Sequence, residues 1–232
     1  MARTQPHDPA PTWSQHDSAL WYAVDILAVW LTGGLEQRAP VLTPFPPCLG
    51  DGERVLTEGA YQLSEYVSLG DGSYNHSTFI AGGGGVLGVT MLAGTIAGSA
   101  IGNSRRRAEA ERNAQERWHP TDWGQIAVST NGFYLNNQYG LRPWSWYGVD
   151  SATVVGPGAV HVQGRGTTGA MSWIIQSDWA ELLFVAWAVI RHRRHPQLVS
   201  GGWLPPGWVE RATQSGYVPR QQMAEITRAL PA

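Results

Sequence analysis

Turn signals at short, even intervals constrain this chain more than anything else in it. Residues 124–176 read GQIAVSTNGFYLNNQYGLRPWSWYGVDSATVVGPGAVHVQGRGTTGAMSWIIQ. Runs rich in Val, Ile, Tyr and Trp are cut by Asn-Gly, Tyr-Gly, Gly-Pro-Gly and Gly-Arg-Gly, the residues that tight reversals require. The spacing predicts five strands, at 124–130, 132–137, 144–155, 159–163 and 170–175. Short strands so spaced build an antiparallel sandwich or barrel. One or two further strands are expected in ERVLTEGAYQLSEYVSL, residues 53–69, broken at Gly59.

Two apolar helices flank this β region. SALWYAVDILAVWL carries one charge, Asp25, between Ser18 and Leu31; Asp17 reads as its N-cap and Gly33-Gly34 as its stop. A helix apolar all round needs cover on every side, and one this short does not span a bilayer. The second helix is predicted over 178–194, with Asp178 as N-cap, Glu181 as its capping-box partner and Arg191, Arg193 and Arg194 against the negative end of the helix dipole. It too is apolar on more than one side, and the first helix is the natural cover. Residues 38–52 read as a Pro-rich linker and the tail as a Trp/Pro anchor with two short helical pieces.

The phrases GQIAVSTNGFYL and LRPWSWYGVDSATVV, followed by a capped helix, resemble the pattern of bacterial pleckstrin-homology-like and GRAM-like domains. That family opens on a phrase like GERVL, as residues 52–56 do here. The resemblance covers 52–69 and 122–195. It implies an α+β, mainly β fold: a barrel or sandwich over 52–195 closed by a C-terminal helix. An insert at about 70–121 interrupts it. A disordered leader (1–15) and an N-terminal helix (16–37) precede it, and a tail (196–232) follows. It also implies a binding module for lipid head groups, peptides or proteins. The insert departs from the family, so no lipid-binding position is carried over.

The insert holds FIAGGGGVLGVTMLAGTIAGSAIG, residues 79–102, which carries no charge. As a helix it would cover about 36 Å. Gly84 and Gly88, and Gly94, Gly98 and Gly102, recur every fourth residue, the small-residue spacing of close helix contact. The run Gly82–Gly85 works against a simple span, because each Gly weakens a helix by about 1 kcal/mol. A single span would also part the early strands from the later ones. Three readings stay open: a hairpin entering and leaving one membrane face, a Gly-rich helix packed on the domain or a second copy, and a single span anchoring a cytoplasmic domain.

Composition excludes several functions. The net charge is -2, and no basic balance points to nucleic acid. All sixteen basic residues are Arg, a mark of GC-rich bacterial coding. A single cysteine, Cys48, permits no internal disulfide or cysteine-based zinc site. The polar, Pro-rich start shows no secretory signal, so the expected location is cytoplasmic, at the membrane face or away from it. No HExxH, GxSxG, P-loop or dinucleotide-binding pattern appears, and no cofactor is expected. His192 and His195 have helical i, i+3 spacing, but arginines separate them. Arg105, Arg106 and Arg107, with Arg191, Arg193 and Arg194, are the candidate contacts for an anionic partner. The resulting expectation is a non-enzymatic module that engages a protein, a second copy of itself or an anionic lipid. The alternatives are a single-span protein, and an enzyme whose site is assembled from distant residues.

Overall fold

The computed structural model describes residues 13–67, 116–166 and 169–230. The chain divides into two compact units, Met1–Ser64 with Pro120–Ala232, and Glu65–His119. In the described part of the second unit, Tyr66 and Trp118 meet edge to face with ring centroids 5.6 Å apart. Gly84, Gly88, Gly94, Gly98, Gly102, Arg105, Arg106 and Arg107 lie outside the described residues.

The described strands form one seven-stranded antiparallel sheet. They are β1 (Val55–Val67), β2 (Arg117–Ser129), β3 (Gly132–Asn137), β4 (Gly140–Ser145), β5 (Val149–Gly156), β6 (Ala159–Gly166) and β7 (Gly169–Gln176). Their order is β4-β3-β2-β1-β7-β6-β5, so the first strand lies beside the last. The sheet is not closed into a barrel as the sequence led one to expect; β4 and β5 are free edges. The predicted strand 144–155 is also divided. Trp146–Gly148 form a 3-10 turn in which the buried Trp146 donates its indole N–H to Ser129 O at 3.2 Å. That bond pulls the chain inward between β4 and β5.

Among the described residues five α-helices accompany the sheet: α1 (Gln15–Leu31), α2 (Ala180–Arg191), α3 (Pro196–Ser200), α4 (Trp208–Gln214) and α5 (Pro219–Ala229). Every residue of α2 from Ala180 to Val189 is buried. It packs against β3, β5 and β6 and against α1, which in turn contacts α4 and α5. The cover that two all-apolar helices need is thus mutual on one side, with the sheet and the tail supplying the rest.

Both helix starts differ from expectation. Ser14 caps α1 and Asp17 sits at N3, completing a capping box from the other end. Helix α2 starts at Ala180 behind Trp179, with no side-chain cap. Trp13, assigned by sequence to the leader, stacks on Tyr217 at 4.5 Å. The Pro-rich linker also packs. Val41, Phe45 and Leu49 cover Val55, Ala127 and Tyr134 on the face away from the main core, as the strand alternation of Ala127 against buried Ile126 and Val128 dictates.

Side chains plug the β5 edge. Gln197 of α3 accepts from Val154 N at 3.0 Å and donates to Val154 O at 2.9 Å, imitating a neighbouring strand. Trp187 donates to Val149 O at 3.1 Å. An unpaired edge is a template for association with other chains, and such plugs blunt it. Replacing Gln197 with Ala should lower unfolding free energy by about 1–2 kcal/mol. It should also promote association, read by urea denaturation and sedimentation velocity. At Gly164, a methyl would sit 2.1 Å from Gly148 O across the β5–β6 ladder. Gly164→Ala should cost more than Gln197→Ala in the same denaturation experiment, because two backbones must separate.

Candidate functional site

The predicted anion contacts of α2 lie where the helix leaves the core. Ile190 to Arg194 are five consecutive exposed residues, directly after ten buried ones. This turn is therefore open to solvent. The Arg191 guanidinium lies over the Tyr147 ring, 5.0 Å from its centroid. Such stacking holds a cation in place without neutralising it. Tyr147, 74% exposed, is presented by the 3-10 turn, where its N–H donates to Ser145 Oγ at 3.3 Å and its neighbour Trp146 is buried. Arg193, an exposed residue, donates its Nε to Val189 O at 3.0 Å, satisfying a helix-terminal carbonyl. Arg194 is exposed, and no side chain among the described residues engages it.

Sequence reasoning named the three arginines but missed Tyr147 and Arg165. Arg165 borders the same turn: its carbonyl would lie 3.5 Å from a methyl at Gly148. Its exposed side chain pairs loosely with Asp150 at 3.7 Å. No linear signal marks Tyr147, which the β4–β5 turn brings to the helix end; Arg165 flanks that turn on the exposed side of β6, alternate to the buried Val160, Val162 and Gly164. His192 and His195 do approach, with ring centroids 5.8 Å apart. They do so as members of an aromatic group with Trp187, and His195 Nδ1 accepts from Gln197 N. Burial, then the neighbouring His192, lowers the His195 pKa. Among the described residues no group of three His, Cys, Asp or Glu could hold a metal ion.

The inward-facing carboxylates are committed to structure. Glu53, from the GERVL phrase, accepts from Tyr134 OH at 2.7 Å, from Leu49 N at 2.8 Å and from Ser129 Oγ. Burial and then that bond to Glu53 raise the Tyr134 pKa. Asp122 accepts from Tyr61 OH and Asn137 Nδ2, both at 2.7 Å, and from Arg142 and Trp123 N. Burial alone would raise its pKa, but these donors hold it below the ordinary value. Tyr61 is pushed up to about 12, by burial and then by Asp122. Cys48 is exposed, and its backbone N–H donates to Tyr134 OH at 2.8 Å.

A third network ties the helices to the sheet. Glu181, 1% exposed, accepts from Gly158 N at 2.7 Å and faces His16 Nε2 at 3.1 Å from each carboxylate oxygen. It is not the capping-box residue expected, because its carboxylate turns to the β5–β6 turn. The bond to Glu181 raises the His16 pKa against the opposing effect of burial. Beside it, Asp17 pairs with Arg211 at 3.2 Å.

A cleft of about 250 Å³ lies between α1 and α5, lined by Asp25, Val29, Thr32, Val218, Gln221 and Glu225 among others. Arg38 already pairs with its Asp25. No helix among the described residues is long and apolar enough to cross a membrane. No family model matches the chain, and no curated protein or solved structure matches it either.

The raised His16 pKa fixes a pH dependence. Its contribution to stability is fully present below about pH 6.5 and is lost as pH rises through the raised value. Thermal melts followed from about pH 5 to about pH 9 should show wild type losing stability relative to His16→Ala as pH rises. The variant should be less stable by about 1–3 kcal/mol at the acid end.

Proposed function

We propose that the chain is a non-enzymatic interaction module on a pleckstrin-homology-like scaffold, binding an anionic partner through the exposed C-terminal end of α2. The strand order supports the scaffold reading: the first strand lies beside the last, and a buried helix directly follows the last strand. One observation carries the binding reading. Helix α2 is wholly buried up to Val189 and then presents Arg191, Arg193 and Arg194 in an exposed turn. Such a run of cations is costly to gather on one surface unless a counter-charge meets it. Tyr147, beneath the Arg191 guanidinium, extends the surface.

A chain of net charge -2 should be repelled overall by an anionic matrix, so retention there reports the local field. Wild type should be held on phosphocellulose at low salt and released as salt rises. The variant Arg191→Gln, Arg193→Gln, Arg194→Gln should flow through, with its melting temperature little changed because the side chains are exposed. Equal elution of the two proteins would remove the reading.

A further inference from the structure

We infer that the cleft between α1 and α5 binds a small aliphatic amine, its ammonium held by acceptors of the two helices and its alkyl stem against their apolar residues. The cleft shares no residue with the arginine turn, so the inference stands or falls apart from the reading above.

Helical spacing builds the cleft. Asp25, Val29 and Thr32 fall on one face of α1, and Gln222 and Glu225 on one face of α5. Its volume of about 250 Å³ lies below the roughly 300–1,000 Å³ of sites that enclose drug-sized ligands, so the occupant is small. Its side-chain donors already have work inside the protein. The Thr32 hydroxyl donates to Ala28 O at 2.9 Å, the Gln222 amide to Asp25 at 3.4 Å and the Gln221 amide to Glu225 at 3.5 Å. The acceptors are less well served. The Gln222 carbonyl oxygen is withdrawn from solvent and accepts from no donor among the described residues. Its amide cannot turn over to relieve this, because Oε1 would then face the Asp25 carboxylate. A buried acceptor without a donor is destabilising, and a ligand N–H would relieve it.

Electrostatics select a cation. Two carboxylates line the cleft; Arg38 pairs with Asp25, and Glu225 has no ion pair among the described residues. Helix α1 ends here on Thr32, with no basic residue in its last turn to offset the negative end of its dipole. A metal ion lacks ligands, since no group of three His, Cys, Asp or Glu among the described residues could hold one. The rest of the wall is aliphatic, from Ala28, Val29 and Val218. Oxygen acceptors beside short alkyl side chains suit an ammonium on an alkyl stem.

The probe is n-butylamine, titrated into the full chain at fixed ionic strength and followed by ¹H–¹⁵N NMR. Binding should lie in about the millimolar range, as suits so small a ligand. Shifts should fall within 25–32 and 218–225, the Gln222 side-chain amide included. n-Butanol keeps the stem without the charge and should bind about tenfold more weakly. Glu225→Gln should weaken butylamine binding roughly tenfold, and Gln222→Met about fivefold. Both positions are only partly buried, and either variant alone serves if the other fails to fold.

Equal binding of butylamine and butanol overturns the inference, and so do wild-type affinities in the variants. Absence of shifts at the cleft overturns it, as does their reproduction by magnesium chloride. A Gly-Lys-Gly peptide with blocked ends separates a free amine from the lysine side chain of another protein. It should bind no more tightly than butylamine; binding more than about tenfold tighter would assign the cleft to a protein partner instead. None of these outcomes bears on retention by phosphocellulose, which reads the arginine turn.

Discussion

Ten successive residues of α2 are withdrawn from solvent, and the one ionisable group among them is the Glu181 carboxylate. A buried carboxylate destabilises a fold by several kcal/mol unless it is paired and hydrogen-bonded. Here a backbone N–H from the β5–β6 turn and the His16 ring from α1 supply the partners. One side chain therefore joins the sheet to the central helix and the central helix to the outer one. Gly158, which gives the N–H, has φ near +67°, a conformation in which a side chain is strained. The first turn of α1 holds His16, the Ser14–Asp17 capping box and the Asp17–Arg211 pair within four residues. This turn fixes the outer helical layer.

The rest of the polar interior follows the same economy. Glu53 fastens the Pro-rich strap to the β2–β3 hairpin, and Asp122 gathers donors from β1, β2, β3 and β4. Each carboxylate is surrounded by donors, which is what burial of an anion demands. The sheet edge is handled likewise by the Gln197 amide and the Trp187 indole. With the inward charges so engaged, the exposed arginines after Val189 form no ion pair among the described residues.

Much of this architecture was legible from local patterns. The turn residues located β3, β6 and β7 closely, because Asn-Gly and Gly-Pro-Gly impose reversals whatever surrounds them. The uninterrupted apolar character of the segments now seen as α1 and α2 foretold that each must cover the other. The β4–β5 break was not legible: Trp146 leaves the strand for an acceptor in β2, a tertiary bond no local pattern announces. The caps were misassigned for a related reason. Asp17 and Ser14 form a reciprocal pair that reads either way in sequence, and Glu181 serves a turn more than twenty residues upstream. Of the exposed turn after Val189, the arginines were visible as a run, whereas Tyr147 reaches it through the topology alone. The open sheet also differs from the closed barrel expected, since hydrophobic alternation is the same in both.

The adjacency of β1 and β7 bears on how the chain acquires its structure. The first strand cannot gain its second neighbour until residues 169–176 are available, more than a hundred positions later. Closing so long a loop has an entropic cost that must be met before the contacts reward it, and non-local pairing of this kind slows folding. Helix α1 waits longer still, because the helices it packs on lie at 180–191 and 208–229. Until they exist, its apolar surface lacks those helical partners among the described residues. During synthesis α1 and β1 thus form an exposed, aggregation-prone stretch until residues 169–229 have followed.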